Sequence, residues 1–200
     1  MIGGFGMAKI KQTTKKGEFD YFAALYNVAR VINASLDTSR VLEEIVRCVT
    51  KAMNVKACSL RLLAGGGERL EMGASYGLSE DYRHKGPILI RESELDRKVI
   101  GGKTILIKDA QTDKQFQYGE KAKAEGIKSV FVVPLAVDKK VIGVLRVYAS
   151  ETREFDKREI KFLEAVANLS AISIDNARLH ETLQINCDLM AAHKYRLDDN

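Results

Sequence analysis

Few residues in this chain have the type and spacing that chemistry needs. The three histidines, His84, His180 and His193, have no serine or cysteine partner nearby in sequence, and solvated side chains explain them. No HExxH or GxxxxGK[ST] run occurs, and Gly3-Gly4-Phe5-Gly6 has no strand before it, so neither a zinc nor a phosphate-loop site is expected. Cys48, Cys58 and Cys187 are odd in number and far apart, which argues against a disulfide framework or a thiolate metal site and for a reducing cytoplasm. Nothing assembles a nucleophile, a base and an orienting group, so the expected protein is not an enzyme and no motif specifies a cofactor or metal.

Polar residues set inside apolar strands are more telling. Arg61 lies in Cys58-Ser-Leu-Arg-Leu-Leu, and Arg146 and Tyr148 lie in Gly143-Val-Leu-Arg-Val-Tyr. By the two-residue strand period Ser59 shares a face with Arg61, and Arg146 with Tyr148. An arginine on a sheet face must be paired or reach water. Either these arginines sit at a solvated face paired with a glutamate, or they line a cavity under the 77–126 segment. In the second case an anionic or carboxylate ligand suits the guanidinium fork. The candidate ligand-binding residues are Arg61, Tyr76, Lys85, Tyr118, Ser129, Arg146 and Tyr148.

The elements that must hold these residues follow from periodicity. Phe22, Leu25, Ala29, Ile32 and Leu36 recur at steps of three and four, predicting a helix over about 18–35. Asp37 caps a second helix with the stripe Leu42, Ile45, Val49 and Met53. Ala57–Leu63 and Arg69–Tyr76 read as strands around the turn Gly65-Gly66-Gly67. Ile88–Arg91 and Ile105–Lys108 are short strand candidates, Ser93-Glu94-Leu95-Asp96 has the capping-box pattern, and Phe116–Glu125 is a helix closed by Gly126. Ser129–Val137 and Val141–Ser150 form a hairpin through Asp138-Lys139-Lys140, with Pro134 marking an edge or a bulge. Asp156 and Glu159 start a last helix running to about Met190. Hairpins with helices collected at the ends predict an α+β fold around an antiparallel sheet.

The last helix carries two stripes. Leu163, Val166, Ser170, Ile174 and Ala177 form one. Phe162, Leu169, Ile172, Asn176, Leu179, Leu183, Asn186 and Met190 form the other, which outlasts the first by about four turns. A seam continuing past the body calls for a second copy of the helix. Asn176, at an a-like position, favours a two-stranded in-register pair. The expected homodimer interface comprises Phe22, Leu25, Ala29, Phe162, Leu169, Ile172, Asn176, Leu179 and Leu183.

Composition agrees with one globular domain. The 200 residues are 46% hydrophobic and 30% charged, and no apolar run could span a bilayer. The net charge is +5, but Lys9, Lys11, Lys15 and Lys16 stand in an acid-free stretch. Without those four, 28 basic residues face 27 acidic ones. The pI near 9.0 therefore belongs to a tail, and neither a nucleic-acid nor a membrane partner is indicated. The expected organisation is a basic arm over 1–17, a folded domain over 18–183 and a helix run-out over 184–200. Translation from Met1 or from Met7 fits equally.

These segments together resemble a GAF domain, the small-molecule sensing module of bacterial and other signalling proteins. The resemblance runs through Ile32-Asn-Ala-Ser-Leu-Asp37, Val41-Leu-Glu-Glu-Ile45, Cys58-Ser-Leu-Arg-Leu62 and Ala74-Ser-Tyr-Gly-Leu78. It continues in Val132-Val-Pro-Leu135, Val141-Ile-Gly-Val-Leu145, Phe155-Asp156 and Ala171-Ile-Ser-Ile-Asp-Asn-Ala-Arg-Leu179. It implies a PAS/profilin-like sheet of five or six strands, with the N- and C-terminal helices on one face. A ligand pocket would lie on the other face, under 77–126, and the terminal helices would dimerise. The cyclic-nucleotide type is not matched, because Ala149-Ser-Glu-Thr-Arg-Glu-Phe155-Asp156 lacks the Asn-Lys pair. The bilin type needs a cysteine that 77–126 does not contain, and haem would have only His84 as a loop ligand. Taken with the residue reading, this makes the expected protein a non-enzymatic, dimeric, cytoplasmic bacterial sensor of a small ligand, with its output through a signalling protein in trans or through sequence absent here. The alternatives are a ligand-free dimerisation adaptor and a small redox enzyme of the sulfoxide-reductase type.

Overall fold

A computed structural model describes residues 20–34, 37–84, 86–113 and 115–198, with side chains to residue 190. The arm expected over 1–17, Leu36, Lys85 and the His193 side chain lie outside the described residues. Helix α1 spans Tyr21–Ala34 and α2 spans Thr38–Ala52. Asp37 caps α2 as its sequence position predicts, its carboxylate accepting from the Ser39 and Arg40 amides at 3.0 and 3.3 Å. The α2 stripe Leu42, Ile45, Val49 and Met53 is buried throughout.

Six strands follow: β1 Ala57–Ala64, β2 Arg69–Tyr76, β3 Ile88–Leu89, β4 Ile105–Ile107, β5 Ser129–Val137 and β6 Lys140–Ala149. They form one antiparallel sheet in the order β3-β2-β1-β6-β5-β4. The β5–β6 turn is tighter than its sequence suggests. Asp138 and Lys139 both take positive φ, 47° and 69°, as a two-residue turn matched to strand twist requires, and Lys140 already belongs to β6. Pro134 pairs with Val144 on β6, while β4 reaches only as far along β5 as Val132. The missing amide thus falls where β5 has no second neighbour, just before a register irregularity at Leu135/Ala136.

Strand alternation divides the interior in two. Leu60, Phe131, Val133, Leu145 and Val147 pack with Ile45, Val49, Leu163 and Val166 from α2 and the last helix. On the opposite face Val130, Val132, Val144 and Tyr148 pack with Tyr82, Leu95, Val99, Phe116 and Ile127. That second layer is a roof of three short helices: α3 Glu80–Arg83, α4 Glu94–Ile100 and α5 Gly119–Glu125. The α5 helix begins three residues later than expected and ends, as expected, at Gly126 in the left-handed region. Gly143 brings β6 against β1. A Cβ there would stand 2.4 Å from the Arg61 carbonyl oxygen, so any larger residue would force the two central strands apart.

Helix α6, Lys157–Asp198, is eight residues longer than its periodicity indicates. Asp156 and Glu159 form its capping box: Asp156 Oδ1 accepts from the Glu159 amide at 2.9 Å, and Glu159 Oε2 from the Asp156 amide at 2.8 Å. Glu159 also pairs with Arg153 and accepts from the Tyr21 hydroxyl at 3.5 Å. Burial, followed by the Glu159 charge, pushes the Tyr21 pKa up to about 12. Leu163, Val166, Ser170 and Ile174 are buried against the body.

Phe162 corrects one expectation. It is 4% exposed, with its ring 5.0 Å from that of Tyr21, and so belongs to the core instead of the outer seam. Leu25 and Leu169 also pack on the core, and Ala29 is half-buried. Phe22, Ile172, Leu179 and Leu183 are 82%, 50%, 56% and 63% exposed, and Asn176 is exposed among them.

Candidate functional site

Neighbouring central strands place the polar residues together. In the β1–β6 register Ser59 stands opposite Arg146, Arg61 opposite Val144 and Ala57 opposite Tyr148. All side chains of this set point to the roof. Ser59 and Tyr148 share a hydroxyl–hydroxyl hydrogen bond of 2.9 Å, and Tyr82 of α3 meets the Tyr148 ring edge-on at 5.9 Å.

Arg61 and Arg146 are each 1% exposed. Arg146 Nη2 donates to Asp96 Oδ1 in a short ion pair, both side chains being 2% exposed. Asp96 is the third residue of α4. Its other oxygen accepts from Ser93 Oγ at 2.6 Å, while its amide donates to that same Oγ at 3.2 Å. The capping box read from the sequence is therefore also the socket for Arg146. Burial alone would lower the Arg146 pKa, but the Asp96 charge, helped by Tyr148, outweighs it and holds the pKa above the usual arginine value.

Arg61 has no such partner. Its Nη1 donates to the Leu70 carbonyl at 3.4 Å, whereas Nε and Nη2 have no hydrogen-bond acceptor among the described residues. Burial pushes its pKa down, and the Arg146 charge adds to that. A guanidinium remains protonated even so. The site thus holds a sealed cation with one edge unmet.

The other candidates divide. Tyr118 borders the site: the charges of Arg61 and Arg146 act on its hydroxyl, which donates to the Pro87 carbonyl at 3.3 Å, and burial raises its pKa. Ser129 does not join it. Its Oγ donates to the Lys108 carbonyl at 2.9 Å and accepts from the Arg153 amide at 3.0 Å, tying strand ends together. Tyr76 is also turned away. Leu60 pairs with Ala74 and Arg61 with Met72, leaving Gly73 as an extra residue on β2. That bulge flips the alternation: Leu70 faces the roof core, but Ala74 faces the helix-side core, and Tyr76, 41% exposed, sits opposite Cys58. Sequence reading missed Asp96 as the arginine partner, together with Ser93 and Tyr82. The capping-box pattern pointed at Asp96 for a different reason.

The roof is fastened at its rim. Glu125 at the end of α5 accepts from the Ser79 amide at 3.1 Å and from the Ser79 hydroxyl, and pairs with Lys56 at 3.4 Å. Burial would raise the Glu125 pKa, but the Ser79 bonds and Lys56 together hold it below the usual carboxylate value. Because the folded value is the lower one, this latch acts fully above the unfolded value of about 4.3 and fades as pH falls through the folded value. Glu125→Ala is expected to speed amide exchange in 79–84 about tenfold at pH 7, and by much less at pH 3. Hydrogen-exchange mass spectrometry checks both.

A family model for the GAF domain matches residues 35–175. The chain belongs to the GAF domain family. The GAF domain of a phosphoenolpyruvate-protein phosphotransferase from Coxiella burnetii superposes with a TM-score of 0.74, at 18% identity, over 84% of this chain and 99% of that one. The fold is thus that of GAF domains, with a six-stranded antiparallel sheet. Among curated proteins, the chain is 26% identical over 191 residues to the Nif-specific regulatory protein of Herbaspirillum seropedicae, covering 88% of this chain and 34% of that protein. It is 22% identical over 171 residues to the formate hydrogenlyase transcriptional activator of Salmonella typhimurium, covering 83% and 25%. The chain therefore spans about a third and a quarter of these regulatory proteins. The free methionine-R-sulfoxide reductase of Neisseria meningitidis shares the fold, with a TM-score of 0.67 and 18% identity over 80% of this chain and 91% of that one.

In this GAF domain the cysteines are separate: Cys58 is sealed in the helix-side core, Cys48 is half-buried on α2 and Cys187 is exposed on α6. Burial pushes the Cys58 and Cys48 thiols up. Among the described residues no three His, Cys, Asp or Glu side chains stand where they could hold a metal ion, and no helix is long and apolar enough to cross a membrane.

Proposed function

We propose that this GAF domain is a non-enzymatic cytoplasmic sensor of a small anionic ligand, held between sheet and roof at Arg61 and Arg146. The unmet guanidinium edge of Arg61, buried inside the domain, carries this reading. A buried donor pair without acceptors is costly, and an anion offsets that cost. Tyr118, Ser59 and Tyr148 supply neutral polar groups around it.

The roof helix α4 grips Arg146 on β6, and β6 leads into α6 within eight residues. Ligand binding under α4 therefore acts on the strand that feeds the long helix. In this reading α6 pairs with a second copy along Ile172, Asn176, Leu179 and Leu183, and a signalling partner, in cis or in trans, reads the pair. The expected boundaries, 18–183 for the sensor and 184–200 for the run-out, are kept as part of the proposal.

A second reading, a ligand-free dimerisation adaptor, is favoured by the closed packing of Tyr82, Leu95, Val99 and Tyr148 over the site. A thermal-shift screen of small organic anions separates the two. A ligand at a hundred times its Kd adds about 2.7 kcal/mol, a rise of about 5–11 °C for a chain of this size. The rise is expected to vanish in Arg61→Gln. Uniform silence across the screen favours the adaptor.

A further inference from the structure

The arginine site also defines the charge and shape of what it accepts, if the sensor reading above holds. The two donors of Arg61 that lack acceptors are Nε and Nη2. These lie side by side along one edge of the guanidinium, the edge that takes both oxygens of a carboxylate in two parallel hydrogen bonds. The third nitrogen, Nη1, is spoken for by the Leu70 carbonyl. Arg146 is differently placed: its Nη2 is taken by Asp96, and its Nε is buried without an acceptor among the described residues.

The charges decide between classes of anion. Among the described residues the charged residues buried as a whole are Arg61, Arg146, Asp96 and Glu159; the Glu125 side chain, 6% exposed at the rim of the roof, is offset by its pairing with Lys56. Glu159 is engaged with Arg153 and Tyr21 at the start of α6. Between sheet and roof that leaves two guanidinium groups and one carboxylate, a net charge of one positive unit. One negative charge from a ligand brings this space to neutrality. A second would be buried without a counter-charge, a far more costly arrangement.

We propose that the site selects a monocarboxylate, held edge-on by Nε and Nη2 of Arg61, and that Asp96 sets this selectivity by cancelling the charge of Arg146. Asp96 is then a specificity-determining residue that need not touch the ligand. Its location on α4 couples ligand charge to the position of the roof, since the same carboxylate accepts from Ser93, the residue whose hydroxyl caps that helix.

Matched pairs on one carbon skeleton test this by isothermal titration calorimetry with the full chain: butyrate against succinate, valerate against glutarate, 2-methylbenzoate against phthalate, with inorganic phosphate as a non-planar anion. Asp96→Asn is the informative variant, because an amide keeps an acceptor for Arg146 and a partner for Ser93 while removing the charge. In the wild type at least one monocarboxylate is expected to bind, at least tenfold tighter than its dicarboxylate partner and than phosphate. Asp96→Asn is expected to reverse or erase that preference, and Arg61→Gln to abolish binding. Circular dichroism confirms that each variant is folded. If Asp96→Asn does not fold, Asp96→Glu, which keeps the charge, must retain the wild-type preference. A wild type that prefers dicarboxylates or phosphate overturns the selectivity while leaving an anion sensor standing. An unchanged preference in Asp96→Asn overturns the role of Asp96. No heat with any anion, in wild type and variant alike, removes the sensor reading itself.

Discussion

Asp96→Ala is expected to lower the stability of the domain by about 3–5 kcal/mol, because it strands the Arg146 guanidinium, 1% exposed, without its counter-charge. For a domain of this size that is a fall in Tm of roughly 6–20 °C, with the Ser93 hydroxyl losing its acceptor at the same time. Replacing both partners, as Asp96→Leu with Arg146→Met, is expected to recover most of the loss, since a buried ion pair contributes little beyond an apolar pair of similar volume. Differential scanning calorimetry of the two singles and the double closes the cycle. A Tm for Asp96→Ala within about 2 °C of wild type, which corresponds to less than 1 kcal/mol, would show that Arg146 reaches water and that the site is not sealed.

The second large effect concerns assembly. Leu179 and Leu183 are 56% and 63% exposed on a helix that has left the body behind. Changing both to Asp buries four carboxylates in each helix pair. At about 1–3 kcal/mol for each unsatisfied group, dimer dissociation is expected to rise by at least about a thousandfold at 1.4 kcal/mol per decade. Sedimentation velocity at tens of micromolar is expected to show a dimer for wild type and a particle near 22.3 kDa for the variant. The Tm of the sensor body is expected to change little, because neither leucine packs on it. A wild-type chain that sediments as a monomer, or a double variant that remains dimeric, refutes the seam.

Local signals read well from the sequence. The caps at Asp37, Ser93 and Asp156, the hairpin at Asp138-Lys139 and the strand alternation of Arg146 and Tyr148 all depend on neighbours within a few residues, and the structure has each of them. The site itself was half legible. Two arginines in apolar strands were visible, but the Arg146–Asp96 contact spans 50 positions, and no periodicity carries that information. Tyr76, a candidate from the sequence, faces away from the site because an extra residue at Gly73 shifts the alternation of β2. Phe162 was placed on the outer seam because its stripe position is right for one; Tyr21, from the far end of the chain, covers it. Ser129 looked like a pocket hydroxyl because nothing local reveals that Lys108 and Arg153 use both its functions.

Helix α6 runs well past the last residues it buries. Its last buried residue is Ile174 and its last half-buried one Ala177, and the stretch from there to Asp198 is about 32 Å long at the standard rise. A tilt of about 5° at the base displaces the distal tip by about 3 Å over that span, comparable to the width of a side chain. Under the proposed sensor reading the rod works as a lever, carrying a small adjustment of β6 to its tip as a larger shift.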